Sequence, residues 1–289
     1  TYEGRPLLTP AAIAGEPVAK LLDLLKEPED RTRYRARIEL SSRPTGEVLA
    51  ATTRWLETQN QSDPQYEHHA LEALWVHQHH NVVNTSLLER MLASPDFHAR
   101  AAAVRVLCYW RDRVSNSLEL LKKAAADQHP RVRMEAVRAL GQRKDAKAAE
   151  LALRVLDKPM DRILDYSLWL TMRELEPHWM PDFKSGKQTF GGDAKKLAFA
   201  LNAVGAKDAV APVVALLDGG KVPKENTHGL WLLLARIGGP AEVQKVLAHA
   251  MKKDTSDAHR DALLPAIEDA VRARKVEKPA DAVGTIRTL

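Results

Sequence analysis

The chain has a single cysteine, Cys108, in 289 residues. One thiol excludes an internal disulfide and any Cys-x-x-Cys site for metal or haem. Aromatic residues are only 5% of the chain, so a core has to be built from Ala, Leu and Val, the composition of helix-rich arrays. No run of about 18 apolar residues is present, so no membrane insertion is expected. No basic-then-apolar start marks a signal peptide, and Thr1 in place of methionine leads us to expect a trimmed or excised chain. Gly191-Gly192 is not followed by Gly-Lys-Ser/Thr, and neither a phosphate loop nor a nucleophile elbow occurs elsewhere. The formal charge is +5. That mild excess leaves acidic or nucleic-acid partners open without arguing for either. Cys108 directly follows an apolar position, Leu107, so a buried, inert thiol is expected there.

What is present is a repeat. Over 127–141, Asp127 and Pro130 end one helix and begin the next; proline is tolerated at a helix start, where its missing N–H had no intrahelical partner. Val132, Ala136, Val137 and Leu140 then form one apolar stripe at helical period. Gly141 stands where a left-handed C-terminal residue is common. Leu40, Leu74, Leu107 and Leu140 recur thirty-three or thirty-four residues apart. A fixed period of this size predicts an all-α solenoid of antiparallel helix pairs, a right-handed superhelix, because one helix pair cannot bury its own apolar face. The run Asp127-x-x-Pro130-x-Val132-Arg133-x-x-Ala136-Val137-x-Ala139-Leu140-Gly141 resembles the second helix of a HEAT repeat. Tetratricopeptide and ankyrin signatures do not occur.

In chain order, residues 1–15 read as an extended N-terminal segment lying along the first repeat or linking to something upstream. Residues 16–175 read as HEAT-like repeats, with helix pairs at 16–26 and 31–42, 46–58 and 64–77, 86–93 and 96–111, 115–126 and 130–143, and 145–156 and 160–175. Residues 176–192, rich in aromatic side chains and glycine, read as an ordered insertion whose Trp179 and Phe183 cover the core. Further helical repeats fill 193–274, and 275–289 read as a tail or linker.

Several residues stand out. Arg33, Arg100 and Arg133 occupy one repeat position, and the matching residue of the second unit is Glu67. They are expected to form a structural ladder with acidic cap residues, Asp96 and Asp127. Arg31, Arg33, Arg35 and Arg37 spread around their helix. The histidines of 68–80 hold no His-Glu-x-x-His, and His69 and His77 stand about 12 Å apart by helix rise, too far for one ion. His77, His79 and His80 could chelate a metal only if the helix ends there; the plain reading is a helix C-terminus whose dipole favours histidine. Arg105 and Arg138 lie one repeat apart on second helices, with Arg131 and His98 two turns earlier. Together with Tyr109, Trp179 and Phe183 they are the candidates for a partner-binding surface, since interfaces favour aromatics and arginine. Solvated face and buried core are the competing readings.

The runs 31–37, 66–78, 100–107 and 160–169 give a closer likeness. Over roughly 5–250 the chain resembles the HEAT segment of the PVC-type haem-binding, membrane-bound-dehydrogenase-like multidomain proteins of bacteria. The resemblance implies an exported, periplasmic redox protein in which a sugar-dehydrogenase-like propeller precedes the HEAT segment and a c-type cytochrome domain follows it. No catalytic or haem residue carries over, because Cys108 is followed by Tyr109, Trp110 and Arg111. Three function classes are therefore expected: a non-catalytic scaffold for protein partners, with no cofactor of its own; a basic nucleic-acid-binding module like the HEAT-like alkylpurine DNA glycosylases; and a HEAT-type lyase.

Overall fold

The computed structural model describes residues 4, 9–185, 190, 193–205, 209–219 and 227–274. These form sixteen α-helices, with no strand among the described residues. The first eight are α1 (Val18–Asp23), α2 (Asp30–Ser41), α3 (Thr45–Glu57), α4 (Tyr66–His79), α5 (Thr85–Leu92), α6 (Phe97–Trp110), α7 (Ser117–Ala125) and α8 (Pro130–Gly141). The second eight are α9 (Ala146–Ala152), α10 (Arg162–Glu174), α11 (Glu176–Lys184), α12 (Ala194–Val204), α13 (Val210–Asp218), α14 (His228–Ile237), α15 (Pro240–Ala250) and α16 (Asp257–Arg274). The fold is an all-α solenoid of helix pairs. It divides into two compact units, Thr1–Ala139 and Leu140–Leu289.

In the first unit the second helices pack in a row, α2 on α4 and α4 on α6. Their contact faces carry the repeat leucines. Leu40, Leu74, Leu107 and, at the start of the second unit, Leu140 are all buried. Polar side chains stop one helix and start the next. Glu29 accepts from Thr32 N–H (2.8 Å), Asn84 from Leu87 N–H (3.0 Å), Asp96 from His98 N–H (3.0 Å) and Asp127 from His129 N–H (2.8 Å). Each satisfies a backbone donor that the first turn leaves without a partner. Gly15 N–H donates to Glu39 on α2 (3.1 Å), which ties the non-helical start of the chain to the first pair. Residues 1–3, 5–8 and 275–289 lie outside the described residues.

The second unit departs from expectation at 176–192. Residues 176–184 form a helix, α11, which packs on α9 and α10 and takes the place of a first helix ahead of α12. Pro177 sits at the helix start, where no N–H is required, and Pro181 is tolerated farther in. Three buried side chains, Trp179, Met180 and Phe183, anchor the segment. Trp179 donates Nε1–H to Met172 O (3.1 Å) and meets Phe183 and Phe190 edge-on. Residues 186–189 and 191–192 lie outside the described residues. Within the second unit the second helices form a row of their own, α10, α12, α14, α16.

Gly141 also differs from expectation. It is the last residue of α8 and is not left-handed; the positive φ after this helix belongs to Lys144, at 54°. A Cβ at Gly141 would stand 3.4 Å from the side chains of Thr171 and Glu174, an ordinary contact.

Candidate functional site

The arginine at the repeated position does one local task three times. Arg33 donates to Glu27 O (2.6 Å) and Pro28 O (2.7 Å), Arg100 to Ser94 O (2.8 Å) and Pro95 O (3.1 Å), and Arg133 to Asp127 O (2.9 Å) and Gln128 O (2.8 Å). In each case the acceptors lie five and six residues upstream, in the turn between the paired helices, where carbonyls have no helical partner. Arg100 also grips Asp127 of the next pair with two bonds, at 2.8 and 3.0 Å, the fork geometry that makes arginine–carboxylate pairs strong. Burial works to raise the Asp127 pKa, but the bonds from Arg100 and His129 N–H outweigh it and hold the carboxyl below its usual range. Asp96, expected in this ladder, is not in it. It caps α6 and pairs with His98 (2.9 Å). The acid that receives a cation across this junction is Glu67, bonded by Arg90 at 2.6 Å and by Ser94.

Two further carboxylates organise the inner side of the first unit. Glu72 is fully buried and lies against Arg33 (3.2 Å), His68 (3.5 Å) and Arg37. Burial raises its carboxyl pKa, and Arg37 and Arg33 oppose that shift. Burial, aided by Arg33, pushes His68 down to about 4, so its ring is neutral at neutral pH. Arg33 and Arg37, one helical turn apart, therefore converge where the alternating arginine series suggested only dispersal. On α8, Glu135 is 4% exposed and receives three guanidiniums, Arg105 at 2.6 Å, Arg131 at 3.1 Å and Arg138 at 3.6 Å. Each of the three remains about half exposed. The bond to Glu135 raises the Arg105 pKa.

Between these two clusters lies an open groove of about 700 Å³ that crosses α2, α4, α6 and α8. Tyr34, Trp75 and Phe97 give it apolar surface, and Arg37, Arg105 and Arg131 give it charge. Two of the rings are already covered. Arg37 stands over Trp75 at 5.1 Å, and Phe97 stacks on His129 at 3.5 Å between ring centres. Tyr34 is exposed. The chemistry available is recognition of anions and apolar surface.

The remaining expected sites divide clearly. Tyr109 is 67% exposed on α6, one turn beyond Arg105, and stays a surface residue. Trp179 and Phe183, expected at a partner-binding surface, are buried in the core of the second unit, because α11 needs their rings to attach it. His77 contacts Asn84 (3.1 Å), His80 contacts Leu40 O (3.1 Å) and Thr45 (3.2 Å), and His79 lines the groove. Among the described residues no group of three or more His, Cys, Asp or Glu side chains could hold a metal ion. Cys108 is only partly buried, and burial raises its pKa. Reading the sequence missed Glu72 and Glu135. The signal for Glu135 was present: Arg131, Glu135 and Arg138 fall at i, i+4 and i+7, on one line of a helix.

Residues 84–168, from the cap of α5 into α10, match the family model for HEAT repeats. This stretch is a segment of HEAT-like repeats. No curated protein matches the chain. The match spans the Arg100 and Arg133 turns and the whole Glu135 cluster. These features therefore lie within the matched stretch, and Arg37 of the Glu72 cluster lines the same groove from the preceding pairs.

Proposed function

We propose that the chain is a non-catalytic interaction module and that the groove of its first unit holds a protein partner. The observation that carries this reading is the groove lining, where Tyr34 is exposed and the half-exposed Arg105 and Arg131 stand on the buried carboxylate of Glu135. Aromatic and arginine side chains on a preorganised support are the usual anchors of protein interfaces. The test is photo-crosslinking in cells, with the reactive residue placed at Ala102 in the groove or at Glu47 on α3. Protein adducts concentrated at position 102 support the reading. Equal or absent adducts at the two positions overturn it.

The likeness of the four repeat runs to the PVC-type proteins supports a more specific placing, as a spacer in an exported, periplasmic redox protein between a dehydrogenase-like propeller and a c-type cytochrome. The haem of that assembly does not fit this chain, whose one cysteine lacks the second cysteine and the histidine of covalent attachment. The reading frame around the chain tests this placing; flanks lacking both a propeller and a Cys-x-x-Cys-His segment overturn it. The groove's positive charge also favours a nucleic-acid reading. A glycosylase of the HEAT-like type would set an Asp beside Trp, whereas the carboxylate lining this groove is Glu135, bound by three guanidiniums. A lyase reading has no residue to support it.

A further inference from the structure

The Glu135 cluster is an unusual way to end a chain of ion pairs. A single buried carboxylate, with two oxygens, receives three guanidiniums that together carry fifteen N–H donors at five each. Most of those donors have no place on Glu135; the three arginines are about half exposed, and Arg105 and Arg131 line the groove. Glu135 thus acts as a fixed post that holds the arginines in an arc and leaves a positive excess of two around itself. At the other end of the groove Arg37 stands over the Trp75 ring and is paired with Glu72. Arginines held in place by a second carboxylate lose less side-chain entropy when they bind an anion.

We infer that this groove reads carboxylates, and that its occupant is an extended acidic segment of a partner protein, with one carboxylate at the Glu135 arginines and another at Arg37. The inference rests on the interaction-module reading and names the chemistry of the partner. Helices α2 and α6 are second neighbours in their row, so their axes lie roughly 16–20 Å apart at the usual 8–10 Å spacing. At about 3.3 Å per extended residue, the two carboxylates are set about five residues apart in the segment, and an apolar side chain between them meets Tyr34.

The same geometry argues against a nucleic-acid strand. Single-stranded binding needs open ring faces on which bases stack, and here Trp75 is covered by Arg37 and Phe97 by His129. The groove lining holds three arginines, Arg37, Arg105 and Arg131, and one carboxylate, Glu135, a formal excess of two. That is small against a backbone carrying a charge on every nucleotide, and it suits a segment with two or three carboxylates.

The experiment uses the full chain and fluorescence anisotropy with four probes. These are a labelled eight-residue peptide with Asp-Glu pairs at both ends and Leu-Phe-Leu-Phe between them, its Asn-Gln counterpart, a single-stranded oligonucleotide of eight nucleotides, and unlabelled inorganic phosphate as competitor. Expected results are binding of the acidic peptide, at least tenfold weaker binding of the amide peptide, and a steady loss of affinity as salt rises. The double substitution Arg105→Ala with Arg131→Ala is expected to weaken the acidic peptide at least tenfold with the helical circular dichroism unchanged. Arg105→Lys, which keeps the charge and loses the fork, gives an independent variant with an intermediate loss. Stronger binding of the oligonucleotide, or displacement of the peptide by equimolar phosphate, overturns the inference. Equal binding of the two peptides also overturns it while leaving the interaction-module reading intact. No binding of either peptide, with crosslinks still formed at position 102, overturns the carboxylate specificity alone.

Discussion

Arg133 is 2% exposed, and a charge that deep in a fold persists only where its donors are used. Its bonds to Asp127 O and Gln128 O use them on carbonyls that no helix can satisfy. Arg133→Met keeps much of the volume and removes those donors, and should destabilise the protein by about 3 kcal/mol, the scale of a charged hydrogen bond with its acceptors left buried. Urea unfolding reads this directly, and a loss under about 1 kcal/mol would show that the turn carbonyls find other partners. Histidines set the response to acid. In the second unit, burial first, and then His228 and His249, push His259 down to about 4; its ring lies 3.9 Å from His228 and 5.4 Å from His249, which in turn stacks on Trp231. His68 is pushed down to about 4 by burial and Arg33. In the unfolded chain such rings protonate near 6.5. Between about 6.5 and 4 the unfolded state therefore binds more protons, and stability falls as pH falls through that window. Asp127, with its pKa held low, keeps its contribution throughout and loses it only at lower pH. Thermal melts should show a declining Tm from pH 7 to 4.5, and His259→Gln should flatten part of that decline. An unchanged Tm over this range would count against the partly buried, neutral imidazoles of His68 and His259.

At the scale of a helix, α6 shows both of its sides within three residues. Leu107 is fully buried and Tyr109 is 67% exposed. Leu107→Ala should cost roughly 2–5 kcal/mol, the range for a buried leucine that leaves a cavity, and Tyr109→Ala should stay within about 0.5 kcal/mol. If both substitutions cost the same, the repeat alignment of Leu40, Leu74, Leu107 and Leu140 is wrong. The end of α8 gives a prediction of opposite sign. Gly141 has helical backbone and room for a methyl group, with Thr171 and Glu174 at 3.4 Å. Gly141→Ala should therefore stabilise the protein by about 0.5 kcal/mol, through the unfolded state. Gly238 is its contrast, since a Cβ there would stand 2.6 Å from Leu234 O, and the same substitution has to displace backbone.

On the scale of the whole chain, the single cysteine sets a limit on cofactor chemistry. Produced alone in a host that attaches c-type haem, the chain should carry no covalent haem and no stoichiometric metal, measured by haem staining of denaturing gels and by elemental analysis. One iron or zinc per chain, lost when His77 and His80 are both changed to Ala, would overturn this. What could be read without a structure was periodic. The Asp-x-x-Pro turn at 127–130, the leucines at a spacing of thirty-three or thirty-four, and the arginine in the first turn of three second helices are local signals, because a helix pair repeats the same backbone geometry each time it occurs. The fate of 176–184 was not local. Two prolines and a nearby glycine cluster read as a break in the helical pattern, and only burial of Trp179 and Phe183 against α9 and α10 makes that segment a helix, since packing outweighs the weak propensity of nine residues.

The groove divides in the same way. Arg105, Arg131 and Arg138 were visible as a strip because they share one helix or one repeat position, and spacing alone puts them on one side. That Arg105 joins Arg131 and Arg138 at Glu135, that Arg33 and Arg37 meet at Glu72, and that the Trp75 and Phe97 faces are already covered, came only from side chains thirty or more residues apart in sequence being brought together. Composition and period determined an all-α repeat with no thiol chemistry beyond Cys108. Tertiary packing decided which charges are buried posts and which remain open to a partner, because burial and pairing depend on neighbouring repeats that no single helix pattern contains.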